Sequence, residues 1–404
     1  MARKRNSITL RRRLRIAVRL LPLLVFAVLC YLQFRTLSRF SPTVPPCDDS
    51  SRRAPVDDLV GRLRASVTFL PLRDTRKRAG EWFISALNDS SEPEGEAKNL
   101  VLPSAASSGR VLCVHAPPRS DAAYALAWRD ALPRGAALRP GLTFVSEMSY
   151  DYRNLWHGLS ALVPFASWHA RSGCRAAPAR WALFLHGAAV RTGTSGWLAS
   201  LAEAATGAEM SVETFLDAAD GPACFEEAVV FRRQMEGLSR ARLLGAFDFL
   251  RCKARARCGV AGAASGAGPP ALRVRLLSAT DVLVTPHGAQ LTNLLFMDRN
   301  SSVVEFYPLG WRQRAGGGQF VYRWMADRAG MRHEGSWWDP HGEPCPGSPD
   351  ILSCYKNRQI GHDEAYFARW AARVFVAAKE RKTRRGGEAL EEERQPEVAD
   401  CGSS

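Results

Sequence analysis

Two apolar strand-like segments, residues 281–284 and 302–306, flank a turn and a short helix over 285–297. Strand, tight turn with His287 and Gly288, helix and second strand make a βαβ unit, which commits this part of the protein to a parallel sheet. The turn of such a unit lies at the carboxyl end of its strand. Open α/β sheets bind ligands there, and the first amides of the helix attract anions. A nucleotide diphosphate is the kind of group such a turn can hold.

The residues within the unit sort by chemistry. Gly288 permits close backbone approach, with Ala289 beside it, while Leu291, Leu294 and Leu295 fall on the face that packs on the sheet. Thr292 and Asn293 are polar in the first turns, and His287 is placed to donate to a phosphate oxygen. Glu305 ends the second strand at the same sheet edge, where a carboxylate can accept both hydroxyls of a ribose. The bland alternative is a strand–helix turn whose histidine caps the helix and whose glutamate is solvated.

The net charge of +15 invites a nucleic-acid reading until it is mapped. Residues 1–40 hold ten Arg or Lys and no acid, so the remainder of the 404 residues has a net charge of only about +5. That distribution argues against a nucleic-acid groove and for a targeting signal. Residues 16–34 are almost wholly apolar, and about 19 residues suffice to cross a bilayer core of roughly 30 Å. Basic residues precede the span, which keeps the N-terminus cytosolic. No small-x-small cleavage site follows it in Gln33-Phe34-Arg35, so a retained signal anchor is expected rather than a cleaved signal.

Cysteine usage agrees with a lumenal location. Beyond Cys30 in the span, Cys47, Cys113, Cys174, Cys224, Cys252, Cys258, Cys345, Cys354 and Cys401 form no CxxC pairing, which favours disulfides over zinc. Cys252/Cys258 and Cys345/Cys354 are near enough in sequence to be local pairs. Nine is an odd number, so at least one thiol stays free or bonds another molecule. Two sequons, at Asn88 and Asn300, suit the same compartment.

Along the sequence, 35–60 reads as an unstructured stem and 88–109 as a second loose stretch, with order beginning at Arg110. Strand-like runs at 110–115, 181–186 and 227–231 alternate with helical patterns at 151–163, 195–206 and 238–256, which argues for the α/β class. A Gly/Ala/Pro insert over 259–270 reads as a linker. Further on, 319–328 is helix-like, and Phe367, Trp370 and Val374 recur at helical spacing. From Arg381 the sequence is charged and unpatterned, expected as a disordered tail.

The stretch from Asp281 through Thr285-Pro286-His287-Gly288-Ala289-Gln290-Leu291-Thr292-Asn293, followed by Ser302-Val303-Val304-Glu305, resembles the signature of glycosyltransferase family 61. Asn154-Leu155-Trp156-His157 and the segment 224–230 are similar to the same family, and Ser336-Trp337-Trp338-Asp339-Pro340 resembles its plant members. The resemblance covers roughly residues 110–345. It implies a GT-B fold, two Rossmann-like domains with a cleft between. It also implies a nucleotide-sugar donor, a glycan or glycoprotein acceptor, inversion at the anomeric carbon, no metal requirement and a single-pass Golgi anchor. The expected layout is a cytoplasmic tail (1–15), anchor (16–34), stem (35–109), acceptor-side domain (110–235), donor-side domain (236–345), helical region (346–380) and tail (381–404).

On this resemblance His287, Gly288, Ala289, Thr292, Asn293 and Glu305 are the donor residues, and Asn154 and Trp156 border the acceptor side. Asn154, His157, Gly158 and Ala161 share one small, polar helix face fit to line a cleft. His157 is the candidate general base, or else it holds the loop. The sequence departs from the family pattern twice. Ala161 stands where many members carry a carboxylate, and 259–275 is too short for the strand and helix units that should precede the His-Gly-Ala turn. A missing strand leaves a sheet edge uncovered. The competing expectation is therefore a catalytically inactive relative acting as a lumenal partner.

Overall fold

A computed structural model describes residues 25, 28–29, 31, 50–74, 81–82, 99–115, 122–148, 154–174, 177–185, 196–214, 221–231, 238–259, 269–312, 318, 320–343, 345 and 351–388. Most of the expected anchor, the Asn88 sequon, Cys47, Cys401, the linker over 260–268 and the tail beyond Glu388 lie outside these residues. Among the described residues no helix is long and apolar enough to cross a membrane. The protein divides into two compact units, residues 1–60 and 61–404. Helix α1 (Ser50–Ala65) begins in the first; the remaining elements belong to the second.

The second unit is α/β. Its strands begin with β1 (Leu70–Pro71), β2 (Arg73–Asp74), β3 (Glu81–Trp82), β4 (Asn99–Leu102), β5 (Val111–His115), β6 (Ala123–Ala127) and β7 (Ala137–Met148). Helix α2 (Leu155–Arg171), β8 (Arg180–Leu185), α3 (Gly196–Thr206), β9 (Ser211–Thr214), β10 (Ala223–Phe231) and α4 (Arg240–Arg257) follow. Eight strands form one mixed sheet in the order β1-β6-β5-β10-β7-β8-β9, with β4 also on β10. β10 is its hub: residues 223–225 pair antiparallel with β5, residues 228–231 antiparallel with β4, and the opposite edge runs parallel to β7. Its two apolar ends are buried, as a strand covered on both faces requires.

The polar middle of β10 has a local task. The β10–β7 register shifts at Phe225/Glu227, where Gly141 takes a φ of +76°. Glu226 accepts from the Gly141 amide (2.8 Å) and from Arg129 (2.9 Å), so it seals the irregular step between the strands. Cys113 and Cys224 stand opposite each other in the β5–β10 register and form a disulfide. Cys345 and Cys354 form another, as their spacing suggested, whereas Cys252 and Cys258 are free thiols.

Beyond α5 (Pro269–Ser278) comes a second sheet of three parallel strands, β11 (Val282–Pro286), β12 (Ser302–Tyr307) and β13 (Arg332–Trp338). A 3-10 helix (Ala289–Phe296) joins the first two and α6 (Val321–Arg328) the last two. The expected βαβ unit is present with these bounds. Among the described residues β11 has no neighbour on its outer side; Val284 is 40% exposed there, and Leu272 and Leu276 of α5 are 70% and 66% exposed. One hydrophobic cluster spans both sheets, joining Leu159 and Phe165 of α2, Phe247 of α4, Leu294 and Leu295 of the 3-10 helix, Val303 and Met325.

Several segments differ from expectation. The stem region contributes β1 and β4 to the large sheet and buries Leu72, Leu100 and Leu102, so packing begins well before Arg110. Helix α2 continues through Pro164 to Arg171. Its Gly158–Ala161 face lines no cleft: a Cβ on Gly158 would sit 2.8 Å from Leu198, and Ala161 is buried. Small residues there let α2 and α3 approach closely. After α7 (Ile351–Asn357) comes a long final helix, α8 (Glu364–Glu388), which runs past Arg381. Arg381 holds it there by donating to Ser302 (2.8 Å) and Glu334 (3.0 Å), an anchor that a charged, unpatterned sequence conceals.

Candidate functional site

The turn after β11 delivers His287 to the carboxyl edge of the three-stranded sheet. Its amide donates to the Phe306 carbonyl (2.9 Å), extending the parallel ladder past Pro286, which has no N–H to give. Its Nδ1 lies 2.9 Å from Glu305 Oε1. The other carboxylate oxygen takes two more partners, His333 Nε2 (2.6 Å) from β13 and the Tyr307 hydroxyl (2.9 Å). Glu305 is fully buried. Burial by itself would raise its pKa, but the hydrogen bonds from His287 and His333 reverse the effect and hold the carboxyl below its ordinary value.

An ionised carboxylate only accepts, so His287 Nδ1 and His333 Nε2 carry the protons of these bonds. A neutral His287 then presents an unprotonated Nε2. The ring lies stacked 4.9 Å from Tyr307, edge-on to Tyr322 at 5.4 Å and 5.5 Å from Trp311. Burial and the Glu305 charge push the Tyr322 phenol up to about 12, with the Thr292 hydroxyl working the other way. Tyr307 is raised further for the same two reasons, so both phenols remain protonated donors across the neutral range.

The expected donor residues divide. His287, Gly288 and Ala289 line the rim of the turn, all partly exposed. Glu305 is not open to a ribose; its oxygens are committed to two histidines and a tyrosine, because β13 covers the strand end. Thr292 is fully buried. Asn293 accepts from Trp197 Nε1 of α3 (3.0 Å) and donates to the Gln290 carbonyl (2.8 Å), which locks the 3-10 helix rather than facing a ligand. Gly288 has an extended backbone, and an added Cβ would meet only the movable end of Gln290. Asn300 sits in the tight turn before β12 with a φ of +65°, partly exposed.

On the other side, Asn154 is the N-cap of α2, its Oδ1 accepting from the Trp156 amide (3.0 Å). Trp156 meets Tyr322 edge-on at 5.9 Å and Trp324 at 6.0 Å. Tyr322 therefore touches both Trp156 and His287, so the two sequence-predicted regions converge on one aromatic cluster. His157 is the next residue of the same helical turn, half-buried.

A cavity of about 300 Å³ adjoins this cluster, lined by Tyr307, Arg312, Phe320, Arg323, His333, Glu334, Gly335, Ser336 and Trp338. Trp338 stacks on Tyr307 at 3.9 Å, and Arg312 lies over Trp338 at 5.8 Å. Of these, Ser336 and Trp338 belong to the Ser336-Trp337-Trp338-Asp339-Pro340 stretch. The signal for His333 was faint: β13 reads Arg-His-Glu-Gly-Ser-Trp-Trp, without strand alternation. Among the described residues, no group of three or more His, Cys, Asp or Glu side chains is arranged to hold a metal ion. No protein-family model matches the sequence, and a search of curated proteins finds no match.

Proposed function

We propose that the protein is an inverting glycosyltransferase that moves a sugar from a nucleotide-sugar donor to a glycan or glycoprotein. The observation that carries this reading is the His287–Glu305 pair at the carboxyl edge of a parallel sheet, the carboxylate buried and the histidine partly exposed among aromatic rings. An inverting displacement requires a base for the acceptor hydroxyl. As the acceptor oxygen attacks the sugar C1, the C1–O bond to the diphosphate breaks and its electron pair leaves with the phosphate. His287 Nε2 takes the acceptor proton, and Glu305 stabilises the imidazolium so formed. This shifts the base from His157 to His287 and leaves Asn154, Trp156 and His157 to position the acceptor. Trp156 presents the kind of flat apolar surface on which a sugar ring packs.

The resemblance to family 61 supports the finer assignments: a GT-B cleft, metal-independent transfer and a Golgi anchor with a lumenal catalytic part. The Cys113–Cys224 and Cys345–Cys354 bonds suit an oxidising compartment. A second reading, a non-catalytic lumenal partner, draws on the open β11 edge, the inward-turned Thr292 and Asn293, and Ala161.

One experiment separates the two. The purified full-length protein is offered a panel of uridine-diphosphate sugars with glycan acceptors, and nucleotide release is measured beside His287→Ala. Turnover that falls by about 100-fold or more in the variant is expected for loss of a general base. No turnover by the parent protein with any donor, or turnover indifferent to His287→Ala, would sink the enzymatic assignment to this histidine.

A further inference from the structure

Residues 285–297 hold no Arg or Lys, so the turn itself has no permanent cation to neutralise a diphosphate. The cavity beside it has what the turn lacks. Arg312 and Arg323 both line it, both are exposed, and neither has a carboxylate partner among the described residues. The one acid in the lining, Glu334, is already held by Ser302 (2.8 Å) and Arg381 (3.0 Å), so it does not cancel them. Ser336 adds a hydroxyl. His333, whose Nε2 is spent on Glu305, forms part of the same wall. The stacked Tyr307 and Trp338 rings and the side chain of Phe320 supply flat apolar surface.

We propose that this cavity binds the diphosphate of a nucleoside diphosphate, with Arg312 and Arg323 as its two anion-binding forks. The nucleotide identity rests on the glycosyl-transfer reading; the anion chemistry rests on the two arginines. Guanidinium groups present planar forks of N–H donors that match phosphate oxygens, and a cavity of this volume is at the small end of the usual range for ligand sites. A single carboxylate has two oxygens and occupies one fork. Two forks lining one cavity suit a group with more anionic oxygens, as a diphosphate has. Tyr307 and His333 belong both to the cavity wall and to the Glu305 cluster, so a diphosphate here is separated from His287 by these shared side chains and does not need the helix amides.

The full-length protein is titrated with uridine diphosphate, inorganic pyrophosphate and a glucuronate-bearing disaccharide, with heat and tryptophan fluorescence as readouts. Uridine diphosphate and pyrophosphate are expected to bind, each single variant Arg312→Ala or Arg323→Ala weakening them about tenfold or more, as loss of a charge-assisted bond does. Arg323→Lys, which keeps the charge and loses the fork, should fall between. Arg332→Ala, an exposed arginine on β13 outside the lining, should leave binding unchanged. The proposal is overturned by diphosphate binding that the double Arg312→Ala/Arg323→Ala variant retains, by no binding of either phosphate, or by arginine-dependent binding of the glucuronate alone. Failure here is distinguishable from failure of the transfer reading. Turnover with arginine-independent nucleotide binding overturns the cavity assignment alone, and arginine-dependent binding without turnover overturns the transfer reading alone.

Discussion

Glu305 has two oxygens and three donors: His287, His333 and Tyr307. Replacement by Gln keeps the shape but turns one acceptor edge into an N–H₂ that must face another N–H or O–H. An unsatisfied buried group of this kind costs about 1–3 kcal/mol, so Glu305→Gln should lower the midpoint of chemical unfolding at neutral pH. The pH dependence has a definite sign. The folded carboxyl titrates below its ordinary 4.5, so its contribution is fully present above that value and is lost as pH falls through the folded one. The stability difference between parent and Glu305→Gln should therefore shrink only on the acid side of 4.5. A difference that shrinks instead with rising pH would contradict the direction of the shift. The βαβ spacing placed His287 and Glu305 at one sheet edge but gave each its own ligand, phosphate and ribose; their bond to each other was not legible. Nor was the burial of Glu305, because it depends on His333, from a strand whose sequence lacks alternation.

Helix α4 shows how one element ties others in place. Buried Arg251 donates to Asp248 on its own helix, to the Leu295 carbonyl at the end of the 3-10 helix (3.0 Å) and to the Ala329 carbonyl after α6 (3.1 Å). Arg299 also pairs with Asp248. Burial lowers the Arg251 pKa against the pull of Asp248, so the charge is kept at a cost that its partners offset. Arg251→Met leaves two carbonyls and part of a buried carboxylate without their donor, and should cost about 3–5 kcal/mol in urea unfolding. A loss under about 1 kcal/mol would mean that water takes over the vacated bonds. Helix α4 was readable from its pattern; other elements were not. Pro164 reads as a stop signal, yet α2 runs through it, since packing of Phe165 and Ala166 holds the later turns. β4 is four residues long beside an acidic, serine-rich stretch, and only its pairing with β10 makes it a strand.

Across the molecule, the two sheets share one apolar cluster, so their stabilities are coupled through α2, α4 and the 3-10 helix. The Cys113–Cys224 bond closes a separation of 111 residues within the larger sheet. Loops of that length lose much entropy on closure, and removing such a bond costs about 2–5 kcal/mol. The double variant Cys113→Ala/Cys224→Ala should melt at lower temperature than the parent under non-reducing conditions. An unchanged melt would mean that the β5–β10 ladder alone fixes the pair. The alternation of strands and helices announced the α/β class, but sheet order depends on pairings too distant for local pattern to show. That order also sets a timetable. β4 and one edge each of β5 and β7 pair with β10, the last strand of this sheet to be synthesised. At about 5–20 residues per second, the interval between synthesis of Cys113 and Cys224 is roughly 6–20 s. During it the Cys113 thiol and the edges of β4 and β5, joined later by that of β7, have yet to meet their partner, and whatever keeps them from other partners in that interval belongs to the folding of this protein as much as its final contacts do.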